Sequence, residues 1–246
     1  MPEGPSIVIL REQAAAFAGR TIRRASGNAK IDLQRLPGRR VLALRSFGKQ
    51  FLVELSGELN VRVHLLMFGS YRINERKDAA PRLSLAFAKG ELNFYSCSVR
   101  LIEQPLDDVY DWRADVMSDA WDPALARKKL RAMPQTLVCD ALLDQEVFAG
   151  VGNIIKNEVL YRIRVHPLST LGALPPRKLR ELVEQARTYA FDFLAWKKAF
   201  VLRKHWLVHN RARCPIHDIP LQRGHLGKTH RRSFFCELCQ KRYETR

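Results

Sequence analysis

Leu142-Leu143-Asp144-Gln145-Glu146-Val147-Phe148-Ala149-Gly150-Val151-Gly152-Asn153 is the stretch around which the chain organises. It sets Gly-x-Gly-Asn between two helical patterns. Glycine lets a backbone come close to a ligand. The first N–H groups of a helix opening at Asn153 have no acceptor within that helix. Together they make an anion site suited to a phosphate, and Lys156, one turn on, adds charge. Taken alone, the same residues describe an ordinary helix–helix turn, and the surroundings decide between the two readings.

Downstream, the pattern predicts helices over 153–164, closed by His166-Pro167, and over 176–197. Upstream it predicts helices over 123–132, with Asp122 as N-cap, and over 135–145, then a tight turn over 146–152. Before these lies an acidic stretch with Asp107, Asp108, Asp111, Asp115, Asp119 and Asp122, read as a linker over 107–122. Between Thr21 and Glu103 the texture is different. Short runs rich in β-branched and aromatic residues (40–46, 50–55, 60–66, 69–73, 82–87, 91–96 and 99–102) are split by turn signals such as Pro37-Gly38 and Ser56-Gly57. Many short, closely spaced strands indicate an antiparallel sandwich or barrel. A helix over 6–18, ended by Gly19, leads it.

At the other end, Cys214-Pro215-Ile216-His217 is followed, after 18 intervening residues, by Cys236-Glu237-Leu238-Cys239. Two such knuckles supply four ligands of the tetrahedral set that zinc takes in structural sites. Cys214, His217, Cys236 and Cys239 are therefore the expected ligands of one structural zinc ion, with His225 and His230 as alternatives to His217. Turn signals at Arg223-Gly224 and Leu226-Gly227 predict a β-hairpin between the knuckles. It would project Lys228, His230, Arg231 and Arg232. Cys97 and Cys139 stand alone, so the five cysteines form a metal pattern rather than a disulfide framework, which fits a reducing compartment.

The formal charge is +17, with a pI of about 10.1. From Lys197 to Arg246 there are 13 Lys+Arg against 3 Asp+Glu, a net +10 that exceeds half of the total. A field of this sign points to a polyanion, with phosphate backbones ahead of an anionic membrane surface. No apolar run is long enough to span a bilayer, and no signal peptide is evident.

The chain opens Met1-Pro2-Glu3. Trimming of the initiator Met would expose Pro2 as a secondary amine of far lower pKa than a lysine. Such an amine attacks an aldehyde-like carbon to give an iminium, with Glu3 placed to move a proton. Many chains begin Met-Pro without chemistry, so the other landmarks carry the weight.

Those landmarks, in this order, resemble the Fpg/Nei DNA glycosylases, the formamidopyrimidine and endonuclease VIII family. Residues 142–160 look like its helix–two-turn–helix signature. Met1-Pro2-Glu3-Gly4-Pro5 resembles the endonuclease VIII start, and Phe47-Gly48-Lys49 the family's Gly-Lys segment. His64-Leu65-Leu66-Met67-Phe68-Gly69-Ser70 is similar to its loop that fills the gap left by an everted base. The Arg-x-x-Phe-x-Cys run from Arg231 to Cys236 resembles its zinc-finger arginine, which favours Arg231 over Arg232. Tyr95-Ser96-Cys97-Ser98 looks more like the endonuclease VIII branch.

The resemblance covers nearly the whole chain. It implies an α+β, multi-domain fold: an N-terminal β-sandwich (1–106) with a leading helix, the linker, a helix–two-turn–helix domain (123–211) and a zinc-binding β-hairpin finger (212–246). It implies a glycosylase with abasic-site lyase activity; with no heptad or obvious interface in the sequence, a monomer away from membranes is expected. Its partner would be damaged DNA, double- or single-stranded, and its substrates oxidised bases, pyrimidines above all, with strand scission by β,δ-elimination. Pro2 would attack C1′ of a flipped-out nucleotide, Glu3 would serve as acid/base, and Lys49 would hold a phosphate or the damaged base. Gly152, Asn153, Lys156 and Arg231 would grip phosphates, and Leu66, Met67 and Phe68 would fill the duplex. The setting would be cytoplasm and nucleoid in a bacterium, nucleus in a eukaryote.

Several positions depart from the family pattern. Ser6 stands where a second glutamate is usual, His217 where Cys is commoner, and no Arg-x-Phe wedge appears over 93–100. A DNA-binding relative without catalysis and an unrelated zinc-ribbon nucleic-acid binder are the competing readings.

Overall fold

The computed structural model describes residues 2–244; Met1, whose removal the sequence analysis expects, lies outside them, as do residues 245 and 246. The chain divides into two compact units, Met1–Asp111 and Trp112–Arg246.

The first unit begins with α1 (Gly4–Gln13), which starts and stops earlier than expected; a short 3-10 turn, Ala15–Phe17, takes up its tail. Eight strands follow: β1 (Arg24–Ser26), β2 (Val41–Phe47), β3 (Gln50–Leu55), β4 (Leu59–His64), β5 (Ser70–Ile73), β6 (Leu83–Ala86), β7 (Glu91–Tyr95) and β8 (Ser98–Ile102). Seven lie within two residues of the expected runs, and β1 has no counterpart among them. The strands form two antiparallel sheets, ordered β1-β6-β7-β5 and β2-β3-β4-β8. Their inner faces share one core with Ile7 and Leu10 of α1, and the Phe51 and Phe94 rings, one from each sheet, lie 5.8 Å apart. This is the expected sandwich. α2 (Leu106–Val109) closes the unit.

The division at Asp111 falls inside the acidic stretch. Beyond it the chain is ordered and packed: Ala114, Asp115 and Val116 are buried, and Val116 N–H donates to Ala149 O at 3.2 Å. α3 (Pro123–Arg131) is capped by Asp122 Oδ1, which accepts from Ala124 and Leu125 N–H. The expected helix over 135–145 is a correction: only α4 (Val138–Ala141) forms, a single turn. Its apolar run is buried by surrounding elements rather than by helical repetition. α5 (Asn153–Arg162) and α6 (Pro176–Lys198) match expectation, and β9 (Gln222–Leu226) and β10 (Arg231–Phe235) form the hairpin between the knuckles.

Candidate functional site

In the first unit, α1 lies against β2 and β3. Glu3 occupies the N-cap position of α1 in extended backbone and is fully buried, with Pro2 partly exposed beside it. Ser6, at the position where the family resemblance leads one to expect a carboxylate, is buried, and its Oγ makes no hydrogen bond. The β2–β3 hairpin turns on two residues, Gly48 and Lys49, with Gly48 at φ +53. A tight turn with a left-handed first residue calls for glycine there, and it leaves Lys49 at the tip.

The neighbouring strand ends at His64, whose pKa is lowered by burial, by Arg62 and by Lys49. A neutral imidazole suits its contact, since His64 Nδ1 accepts from Leu66 N–H at 3.0 Å. The loop closes where Gly69 N–H donates to Leu65 O at 2.7 Å. A Cβ on Gly69 would sit 2.0 Å from that oxygen, so only glycine fits. Leu65 is buried, whereas Leu66, Met67 and Phe68 stand exposed, Phe68 by 84%. The strand expected to run through Leu66 stops at His64, and the three apolar side chains project from a braced turn instead of packing into the core.

In the second unit the glycine turn is stapled by one side chain. Gln145 Oε1 accepts from Gly150 N–H at 3.1 Å, and its Nε2 donates to Val151 O at 3.1 Å. Gly152 then caps α5. From the first turn of α5 the contacts run to the finger hairpin and meet at one backbone atom. The carbonyl of Arg232 accepts from Asn153 Nδ2 at 2.9 Å, Lys156 Nζ at 3.3 Å and Asn157 Nδ2 at 3.3 Å. Lys156 is a correction: it is 1% exposed, its ammonium also donates to Ser233 Oγ at 2.8 Å, and it fixes the finger rather than facing a phosphate. Arg231 and Arg232, next to this hub on β10, are both exposed, and they differ in that the Arg232 guanidinium lies over the Phe234 ring at 5.3 Å.

Four residues of this region were invisible in the sequence. Asn157 accepts from Phe234 N–H at Oδ1 and meets His209 Nδ1 at 3.2 Å. His209 is pushed down to about 4 by burial and by Lys156, so it presents a neutral acceptor to that amide. Glu158, fully buried, accepts from the backbone N–H groups of Leu207, Val208 and His209 at 2.8–3.1 Å. Asp140 grips the hairpin turn, accepting from Lys228 N–H at 2.8 Å and from the amide and hydroxyl of Thr229 at 3.0 and 2.8 Å. All these pairs are far apart in sequence, and no local pattern announces them.

The ligand atoms of Cys214, His217, Cys236 and Cys239 lie within 4.8 Å of one another. His217 Nδ1 stands 3.2 Å from Cys239 Sγ, 3.7 Å from Cys236 Sγ and 3.9 Å from Cys214 Sγ, with Cys214 and Cys239 Sγ 3.5 Å apart. Ligands around a tetrahedral zinc with bonds of about 2.0–2.3 Å are roughly 3.5–3.8 Å apart, so this donor set fits the ion. His225 instead contacts His230 O through Nδ1 at 2.9 Å and takes no part. Burial opposes ionisation of Cys214, but hydrogen bonds from Tyr161 Oη and from the His217 and Ile216 amides bring it down to about 6. Tyr161 Oη lies 3.2 Å from Cys214 Sγ and 3.5 Å from Cys239 Sγ.

A sandwich headed by a Pro-Glu helix, and a helical unit whose glycine turn is bolted to a Cys/His finger, define the helix–two-turn–helix class of nucleic-acid-binding folds. The comparisons agree. Residues 1–99 match the formamidopyrimidine-DNA glycosylase N-terminal domain and residues 114–190 the formamidopyrimidine-DNA glycosylase H2TH domain. "Endonuclease 8-like 3" of Xenopus laevis is 30% identical over 234 residues, 90% of this chain and 38% of that protein. "Probable endonuclease 8 2" of Streptomyces coelicolor is 31% identical over 202 residues, 76% of this chain and 72% of that protein. The Lactococcus lactis formamidopyrimidine-DNA glycosylase, solved non-covalently bound to DNA containing an AP site, superposes with a TM-score of 0.85 at 21% identity, covering 98% of this chain and all of that one. The chain belongs to the Fpg/Nei family, on its endonuclease VIII side. It spans 34–58% of the length of the first vertebrate relatives it matches.

Proposed function

We propose that the chain is a base-excision DNA glycosylase with abasic-site lyase activity, acting on oxidised bases, chiefly pyrimidines. The carrying observation is that a member of this family keeps Pro2 and Glu3 at the head of α1, with Glu3 buried at the N-cap. The Pro2 nitrogen attacks C1′ of the everted nucleotide, and the bond to the base breaks. Glu3 delivers a proton to the ring oxygen as the sugar opens to an iminium. The iminium acidifies C2′–H, so loss of that proton expels the 3′ phosphate, and a second elimination expels the 5′ phosphate. Lys49, on its turn tip, holds a phosphate or the damaged base.

Leu66, Met67 and Phe68 fill the space vacated in the duplex, where an apolar side chain replaces part of the lost stacking. Gly152, Asn153 and Arg231 hold the backbone beside the lesion. Cys214, His217, Cys236 and Cys239 hold one zinc ion, which folds the finger and takes no part in the chemistry. The protein works as a monomer on damaged DNA. No described helix is long and apolar enough to cross a membrane.

The test is borohydride trapping on an oligonucleotide with one abasic site. A covalent protein–DNA band is expected from protein with a free Pro2, and none from Pro2→Ala or from chains that retain Met1, while all three bind the DNA. A band of undiminished intensity from Pro2→Ala removes Pro2 as nucleophile. No band from properly trimmed protein with an intact finger favours the DNA-binding relative without catalysis.

A further inference from the structure

α6 ends in an unusual way. Phe200 N–H donates to Lys197 O at 3.1 Å and Val201 N–H to Trp196 O at 2.9 Å, the paired bonds of a Schellman cap. That cap places its first residue beyond the helix in the left-handed region, where glycine is usual. Here it is Phe200, at φ +60 and 95% exposed. The ring gains nothing from packing, and the backbone is held where a side chain is disfavoured, so stability does not account for a phenylalanine.

The ring has no local neighbour to fold onto. Trp196 is stacked on His205 at 4.2 Å and 2°, with the Arg162 guanidinium 5.8 Å from its ring centre. The segment is firmly moored, since the Glu158 carboxylate holds the amides of 207–209. It is also one-sided in charge. Residues 193–217 contain six Lys+Arg and no Asp or Glu, and Arg203 and Lys204 are exposed close to Phe200.

An exposed aromatic on a rigid, purely basic segment matches the chemistry that binds unpaired nucleic acid: cations track the backbone while a base stacks on the ring. A second copy of the same patch would be repelled by its own charge, and a base pair inside a duplex has no free face to offer. We propose that Phe200 is a stacking platform for an unpaired base on the second unit, with Arg203 and Lys204 holding the flanking phosphates. The inference takes DNA as the polyanion from the function proposed above but does not need the lyase chemistry.

The test measures binding of a fluorescent single-stranded thymidine oligomer and of a short blunt duplex with an abasic site. Phe200→Gly and Phe200→Leu are expected to bind the single strand about tenfold more weakly and Phe200→Trp as tightly as the parent, with all three unchanged on the duplex. Phe200→Gly is also expected to melt at or above the parent's temperature, because it relieves the left-handed backbone, so a loss of binding cannot be a loss of fold. Single-strand affinity equal to the parent's in Phe200→Gly overturns the proposal. So does a dimer in sedimentation that this variant dissolves, or parent binding to anionic phosphatidylserine vesicles that Phe200→Leu preserves while single strands are ignored. Borohydride trapping on the duplex separates the two readings. If the parent fails to trap and the single-strand effect holds, the platform stands and the lyase assignment falls.

Discussion

Glu158→Gln is the sharpest perturbation available, because it changes one atom of a fully buried carboxylate. In the parent, Oε1 accepts from Leu207, Val208 and His209 N–H at 3.1, 2.9 and 2.8 Å, and Oε2 accepts from Leu207 at 2.9 Å. Glutamine keeps one acceptor, which can serve Val208 and His209, but turns an NH₂ group toward the Leu207 amide. Two hydrogen bonds lose their charge assistance, about 1 kcal/mol each, and the part-buried Leu207 amide meets a donor, a further 1–3 kcal/mol or so. The expected destabilisation is about 3–5 kcal/mol. It should fall on the second unit, and the chain provides its own reporter: all four tryptophans, Trp112, Trp121, Trp196 and Trp206, lie beyond Asp111. Urea unfolding followed by tryptophan emission, on protein with matched zinc content, should show the midpoint falling steeply. A shift worth less than about 1 kcal/mol would mean that water or a backbone shift replaces the carboxylate, and that Glu158 does not anchor the approach to the finger.

Two further outcomes follow from the same contacts. Tyr161→Phe removes the hydroxyl beside Cys214 and Cys239, and zinc should pass to a chromogenic chelator about tenfold faster or more, as is usual when an outer-shell partner of a metal ligand is lost; an unchanged transfer rate would sink this role. His209 is held at about 4 in the folded chain against an ordinary 6.5. A depressed histidine gives stability that is full above pH 6.5 and lost as pH falls toward 4, about 2 kcal/mol by pH 5. His209→Asn keeps an acceptor for Asn157 and should flatten that part of the stability–pH curve between pH 7 and 5, whereas identical slopes in parent and variant would contradict the assignment.

How much of this was legible in the sequence depends on how local each signal was. Strands β2 to β8 announced themselves because β-branched runs between Gly and Pro turns are short-range patterns. The two knuckles did so because ligand spacing is set by the loop geometry of a single zinc site. The 135–145 helix failed for an equally physical reason: Leu137, Val138, Ala141 and Leu142 are apolar because the core surrounds them on several sides, and an apolar run buried from all directions mimics helical periodicity. Lys156 misled because a lysine after a glycine turn normally faces solvent. Its role depends on Ser233, 77 residues away. His217, favoured by its spacing, is the histidine that the structure places beside the three thiols, while His225 turns to the His230 carbonyl.

α5 shows how these hidden contacts bear on the proposed function as well as on the fold. Lys156, Asn157 and Glu158 are consecutive, polar and buried, and each addresses a different part of the finger or its approach. Well-packed apolar residues in such places are often as stable or more so, but they are indifferent to small rotations of what they touch. Hydrogen bonds are directional, and three of them converge on the carbonyl beside Arg231. The same helix therefore begins at the glycine turn and bonds the hairpin next to Arg231, so that Asn153 and Arg231, 78 residues apart and proposed above to hold phosphates, are tied together through the Arg232 carbonyl. A chain that needed only a stable second unit would have no use for this arrangement. One that presents the two phosphate grips proposed above at a fixed spacing does.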